Sequence, residues 1–290
     1  METLKKDDRI LVLAPHPDDE ILGAGGYIYT ALKNKAKLQV IIATNGENFG
    51  YAVGRRLGNF LPVDKKTREF GEARQKEAIK LLKNLGLKQE NIIFLGFPDK
   101  SLKPLWKKNW PADKPYYSPL FKSDTSPFDN IYKPKVLFAG HKLLGILKEI
   151  IVSFGSNIII TSSIYDDHSD HRALARFTKK AIEESTKSPN EMELYSYLIH
   201  KHRLLYPLPY GLYPGKSLNP PLSLRKKTID WQKFPLSKKA ILAKERALLS
   251  YDTQVEAMQK RLLSFLRQNE LFNKVHPVKS CTGQFHRVKD

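Results

Sequence analysis

An α/β fold built on a doubly wound, mainly parallel sheet is what the sequence predicts, and three observations predict it. Between Arg9 and Ile199, short apolar runs alternate with longer stretches of helical periodicity, the pattern of repeated βαβ units. The 290 residues are 41% hydrophobic and 27% charged, enough apolar material for a sizeable core in an ordinary globular chain. The two segments richest in histidine and aspartate each follow one of the apolar runs directly. In open α/β sheets that is where ligands bind, so the expected architecture is Rossmann-like.

Taken in order, the strand candidates are Ile10–Ala14, Leu38–Ala43, Ile92–Leu95, Ile158–Thr161 and Leu194–Ile199, with helices beginning near Asp19, Thr67, Gly140 and Asp170. The stretch Glu72–Leu85 shows the helical period clearly: Ala78, Ile79, Leu82 and Leu85 share one stripe, while Arg74, Lys76, Lys80 and Lys83 lie near or beyond its edge. Residues 96–134 break the rhythm with seven prolines and several aromatics, an excursion long enough to suggest function. Its Trp106, Trp110, Tyr116 and Tyr117 either stack on a ring of a bound ligand or fold into a satellite core.

A proline- and tyrosine-rich stretch, Tyr206–Pro221, then leads to helical patterns over Lys238–Leu249 and Gln254–Gln268, and the tail from Lys274 to Asp290 is expected to be frayed or irregularly docked. We therefore expect one domain over residues 1–290, with an α/β core to residue 200 and a C-terminal helical extension over 201–290. A strand order of 3-2-1-4-5 would bring the loops after strands 1 and 4 face to face across a crevice.

Charge and cysteine usage bound the setting. The single cysteine, Cys281, cannot form an intrachain disulfide. No run reaches the roughly 18 to 20 apolar residues of a membrane span, and Met1–Asp8 lacks the apolar core of a signal peptide, so a cytoplasmic location is expected. The net charge of +19 would attract anionic partners, including an anionic surface touched peripherally, or would simply be a lysine-rich solvated surface. Its lysine pairs are scattered, and zinc-finger spacing, RNA-binding aromatic motifs and phosphate-binding glycine loops are absent, so no specific nucleic-acid partner is expected.

Chemistry concentrates in Pro15-His16-Pro17-Asp18-Asp19-Glu20 and in Asp166-Asp167-His168-Ser169-Asp170-His171. Imidazole nitrogens with one carboxylate suit Zn²⁺, whose catalytic sites keep three protein ligands and an open position. His16, Asp19 and His171 can fill the three places, with Asp18 beside them to take a proton; spacing alone leaves open which aspartate binds metal. His168, held by Asp170, would present a donor to a developing oxyanion. The plainer alternative is that Asp18, Asp19 and Glu20 only cap a helix.

These residues resemble the PIG-L/LmbE-like zinc-dependent N-acetylglucosaminyl deacetylases, whose pattern is a strand running into H-P-D-D-E and a later H-P-D-H. The first motif is complete here, and Ser169 replaces the proline of the second. The likeness continues in Thr44-Asn45-Gly46-Glu47, in the helix from Arg74 and Glu77 to Leu85-Gly86, in Leu95–Asp99, and in Lys244–Gln254. Carried over residue by residue, it implies His16, Asp19 and His171 as ligands of Zn²⁺ and Asp18 as general base. It implies His168 as the group that stabilises the tetrahedral intermediate and assists the leaving amine, Asp170 as its orienting partner, and Arg74 and Asp99 as substrate-binding residues. The implied reaction removes acetyl from an N-acetylglucosamine-type amino sugar or glycoconjugate. The same ligands would serve a metal-dependent esterase or phosphoesterase. A non-catalytic basic module binding an anionic glycan or nucleic acid is the remaining alternative.

Overall fold

The computed structural model describes residues 4–48, 63–185, 192–202, 206–225 and 227–276. At its centre is strand β1 (Arg9–Ala14), which pairs in parallel with β2 (Lys37–Thr44) on one side and β4 (Ile158–Ser162) on the other. Val12 sits opposite both Val40 and Ile160. β3 (Ile92–Phe97) extends the sheet beyond β2, and β5 (Glu193–Tyr197) extends it beyond β4, all in parallel. The expected order 3-2-1-4-5 is therefore present, and the direction in which strands are added to the sheet reverses at β1 and β4.

The strands read as apolar runs because both faces of the sheet are covered. Ile10, Val12 and Ala14 join one core cluster, and Leu11 and Leu13, pointing the other way, join a second. The helices are α1 (Asp19–Lys33), α2 (Val63–Asn84), α3 (Leu102–Lys107), α4 (Gly140–Phe154), α5 (Ser169–Ser185), α6 (Leu222–Arg225), α7 (Lys238–Leu249) and α8 (Asp252–Leu263). Helix α1 crosses the sheet so closely that a Cβ on Gly23 would stand 2.3 Å from the Tyr197 ring. Only glycine permits that approach, which brings the start of α1 down onto the carboxyl ends of the strands.

The C-terminal section holds the expected helical extension and adds strands to it. Beside α7 and α8 it contributes β6 (Asp230–Pro235) and β7 (Asn269–Val275), which continue the sheet antiparallel in the order β3-β2-β1-β4-β5-β7-β6. The second helix ends at Leu263 and not near Gln268, because residues from Asn269 onward pair with β5 and β6: Phe272 lies opposite both Tyr197 and Gln232. Ordered strand thus replaces the expected fraying as far as Val275, while residues 277–290, with Cys281, lie outside the described residues. Glu270 of β7 accepts from the backbone N–H groups of Gly26 and Tyr27 and from the buried Lys244 ammonium, all at 2.8 Å, so strand, α1 and α7 are tied at one point.

Within residues 96–134, Trp106 and Trp110 pack against each other and against Phe177 of α5, with Trp106 and Phe177 centroids 4.9 Å apart. Trp106, Trp110 and Tyr116 join the second core cluster, whereas Tyr117 stays 61% exposed. The satellite-core reading therefore holds for three of the four aromatics.

Candidate metal centre

The crevice at the strand reversal is where both His/Asp motifs arrive. Pro15 leaves β1, and Asp18 turns the chain with φ of 107° before α1 begins, its carbonyl accepting from Ile21 and Leu22 at 3.0 and 2.8 Å. A positive φ is costly for a non-glycine residue, and such strain collects at functional sites. The turn places the Asp19 carboxylate between two imidazoles: Oδ2 lies 3.0 Å from His16 Nδ1 and 3.1 Å from His171 Nε2. All three side chains are buried.

That arrangement fits a divalent cation. Zinc–ligand bonds of about 2.0–2.2 Å in a tetrahedral site put donor atoms about 3.3 Å apart, within a few tenths of the separations observed. His171 Nε2 is buried yet makes no directed hydrogen bond despite its closeness to Asp19, leaving a nitrogen available to a metal. Burial opposes charge on both imidazoles. Even so, Asp99 leads the carboxylates that raise His16 well above its ordinary value, and Asp166 and Asp19 lift His171 to about 9. The surrounding field favours positive charge at this point, and a bound cation would supply it. Among the described residues, groups able to hold a metal include His16–His168–His171, Asp166–His171–His200 and His16–Asp99–Asp170.

The carboxylates of the latter two groups stand behind His171 and His16. Asp166 stands 3.2 Å from His171 Nδ1 and accepts from the backbone N–H groups of His168, Ile199 and His200 at 2.8, 3.0 and 3.0 Å. Those bonds draw the chain out of β5 after Tyr197, so the strand stops short of Ile199. On the other side, His16 Nε2 lies 3.1 Å from Asp99 Oδ1 and 3.8 Å from Asp170 Oδ2. Carboxylates behind ligating histidines fix ring orientation and raise basicity. The sequence assigned Asp99 to substrate; the structure places its carboxylate against His16 and the Asn48 N–H, an orienting position.

Arg74 is likewise turned inward. Its guanidinium donates to the Gly46 carbonyl at 2.9 Å and to the Pro17 carbonyl, and lies 3.5 Å from Asp18 Oδ1, with the residue only 3% exposed. A Cβ on Gly46, whose φ is 61°, would stand 1.7 Å from Arg74 Nη1. The guanidinium supports the Asp18 turn. Glu77, three residues along α2, accepts from Thr253 N and Oγ1 at 3.0 and 2.6 Å, joining α2 to the C-terminal section.

Asp18 itself is raised to about 7, first by burial, with Arg74 pulling the other way and Asp19 adding to the rise. Glu20 is raised to about 8 by burial; it accepts from the Asp18 N–H at 3.1 Å and from the Tyr251 hydroxyl. His168 is pushed down to about 2 by burial and by the neighbouring histidines. Its Nδ1 accepts from the backbone N–H of Asp170 at 3.3 Å, so the neutral ring carries its proton on Nε2. The Asp170 carboxylate was expected to orient His168. It accepts instead from the Lys100 N–H at 2.6 Å and faces His16, while its other oxygen is buried without a partner. Orientation of His168 comes from the Asp170 main chain because α5 starts at Ser169 and directs the Asp170 side chain inward. Sequence reasoning assigned no role to Asp166, Glu47, His200 or Tyr251; the first, second and fourth lie inside motifs it named, while His200 lies in none, and it is their burial around the site that gives each a part.

Comparison with known proteins follows the same lines. The family model described as PIG-L, GlcNAc-PI de-N-acetylase, matches residues 11–182. No curated protein sequence matches the chain. Among solved structures, the A40926 pseudoaglycone deacetylase Dbv21 is 17% identical with a TM-score of 0.58, covering 92% of this chain and 96% of its own. N,N'-diacetylchitobiose deacetylase from Pyrococcus horikoshii is 15% identical with a TM-score of 0.55, covering 93% and 85%. The 4-carboxy-2-hydroxymuconate hydratase GalB from Pseudomonas putida is 13% identical with a TM-score of 0.52, covering 96% and 100%. At these identities the structures establish the shared fold, and the fold alone accommodates both a deacetylase and a hydratase.

Proposed function

The chain belongs to the PIG-L, GlcNAc-PI de-N-acetylase, family, and from that membership we propose that it is a zinc-dependent hydrolase removing acetyl from an N-acetylglucosamine-type amino sugar or glycoconjugate. The observation that carries the reading is the convergence of His16, Asp19 and His171 with Asp18 on the same turn. In this reading residues 1–290 act as one domain, because Tyr251 and Thr253 reach back to Glu20 and Glu77 beside the site. A cytoplasmic location belongs to the same reading and rests on the sequence; among the described residues, no helix is long and apolar enough to cross a membrane.

His16, Asp19 and His171 would hold the zinc, with Asp99 and Asp166 behind the two imidazoles. A zinc held there would supply Lewis-acid polarisation of an amide carbonyl and would make a water molecule more acidic. Asp18, raised to about 7, is ionised in a useful fraction of molecules near neutrality and can accept the proton of the attacking water. Its backbone is fixed by Glu20 and its carboxylate is faced by Arg74, so it meets the attacking water in one orientation. Neutral His168 donates from Nε2 to the oxygen that becomes negative as the tetrahedral centre forms. The proton held on Asp18 then passes to the departing sugar nitrogen, the C–N bond breaks, and acetate and a free amine leave.

The possible second groupings share His16 or His171 with the first, so two metals would have to be bridged by an imidazole. Two-metal phosphoesterases use close metal pairs, so the shared ligands favour the one-metal reading over phosphoester chemistry. The test is acetate and free-amine release from a panel of N-acetylglucosamine conjugates by zinc-loaded protein. Stoichiometric release supports the deacetylase. Ester cleavage by the same site without amide cleavage would replace it with an esterase.

A further inference from the structure

Among the described residues, five of the ten large apolar side chains left exposed fall within one segment: Leu208, Tyr210, Leu212, Tyr213 and Leu222. Such side chains scattered singly are ordinary, but a concentration of them marks a contact surface. The segment follows β5, which runs parallel to β4, so it leaves the sheet at the end that carries the metal centre. It lies outside residues 11–182, the part of the chain that the family model matches. Membership of the family therefore assigns it nothing.

The backbone of this segment is bound from beneath. The buried Arg267 guanidinium donates to the carbonyls of Pro209, Gly211 and Tyr213, and the Gly211 N–H donates to Ser264 Oγ at 2.7 Å. The Lys216 carbonyl accepts from the Gln268 N–H at 3.1 Å. A loop fixed in this way presents its leucines and tyrosines without a further ordering cost on contact. Charge follows the same plan. Lys216 and Lys260, both exposed, stand 5.0 Å from the Tyr213 ring centre and 5.7 Å from that of Tyr210. From Leu194 to Ile229 the sequence contains six Lys and Arg and no Asp or Glu, so whatever covers the surface meets positive charge alone. The cores of protein–protein interfaces are depleted in lysine, which disfavours a protein as the occupant. Leucine tips, tyrosines at their level and ammonium groups between them suit the headgroup boundary of an anionic bilayer.

We propose that residues 206–216, with Lys260 of α8, dock the protein peripherally on an anionic phospholipid bilayer. Leu208 and Leu212 enter the boundary between headgroups and acyl chains, and the two lysines meet the lipid anions. The inference stands apart from the reaction assigned to the metal centre.

The full chain is co-sedimented at low ionic strength with vesicles of phosphatidylcholine alone and of phosphatidylcholine carrying about 30% phosphatidylserine. The wild type should partition onto the anionic vesicles at least about tenfold more strongly than onto the neutral ones. Leu208→Ser/Leu212→Ser should lower that partitioning at least about tenfold, because two side chains 66% and 48% exposed no longer leave water. Lys216→Gln/Lys260→Gln should lower it by a similar factor. Val152→Ser/Leu242→Ser removes side chains 60% and 51% exposed on α4 and α7, and should bind as the wild type does. Leu212→Trp should bind at least as well as the wild type, since indole favours the interface, and it separates loss of contact from loss of folding. No partitioning of the wild type onto anionic vesicles overturns the proposal. Equal partitioning of the wild type and the serine variant at 208 and 212 also overturns it, leaving attraction by net charge alone. A concentration-dependent dimer in sedimentation equilibrium, lost in that variant and unaccompanied by vesicle binding, would replace the bilayer with a second copy of the chain.

Discussion

The hydroxyl of Tyr251 donates a hydrogen bond to the Glu20 carboxylate across 231 positions of sequence, joining the C-terminal helices to the turn that carries Asp18 and Asp19. The other Glu20 oxygen accepts from the Asp18 N–H. Tyr251→Phe removes the donor and leaves a buried carboxyl oxygen unsatisfied, at a cost of about 1–3 kcal/mol. Urea unfolding should show that loss, and kcat should fall with it as the Asp18 turn loosens. Unchanged stability and turnover would mean that the C-terminal section only covers the core.

Asp166 is expected to act on metal affinity. It stands behind His171 and gathers three backbone N–H groups from the loops around the site. Removing a carboxylate behind a ligating histidine typically costs 10–100-fold in metal affinity. Asp166→Asn, measured by competition with a chelator, should show a loss of about that size. Wild-type affinity in this variant would assign Asp166 to loop structure alone.

The pH profile of stability should carry the mark of Glu47. Burial first, and the charge of Asp99 next, raise its carboxyl from 4.5 to about 8. The folded state therefore holds this proton more tightly than the unfolded chain. The resulting stability is full below pH 4.5 and is lost as pH rises towards and through 8. Gln at this position keeps a carbonyl to accept the Asp99 N–H, observed at 2.7 Å, and cannot ionise. Thermal melts of Glu47→Gln against the wild type should thus shift in favour of the variant between pH 5 and pH 8. Parallel profiles would show that Glu47 is ionised in the folded protein at little cost.

Much of the fold was legible because parallel strands buried on both faces leave plain apolar runs, as in Ile10–Ala14 and Ile158–Thr161. The two His/Asp motifs were legible because they follow those strands directly. β7 was not: Asn269, Glu270 and Asn273 are buried among its residues, and polar side chains that find partners inside the protein erase the alternation expected of a strand. Asp99 and Arg74 were found as residues, but neither a loop position nor a place at the edge of a helical stripe reveals direction, and their side chains lie against His16 and Asp18. Asp170 shows the same limit, since its main chain and side chain serve different histidines.

The central claim is that one metal, held by His16, Asp19 and His171, works with Asp18 to release acetate. The most direct measurement is bound zinc and acetate release on the same samples of wild type, Asp18→Asn and His171→Ala. The account predicts about one zinc per chain and release in the wild type, zinc without release in Asp18→Asn, and neither in His171→Ala. Full acetate release by Asp18→Asn, or undiminished zinc in His171→Ala, would contradict it.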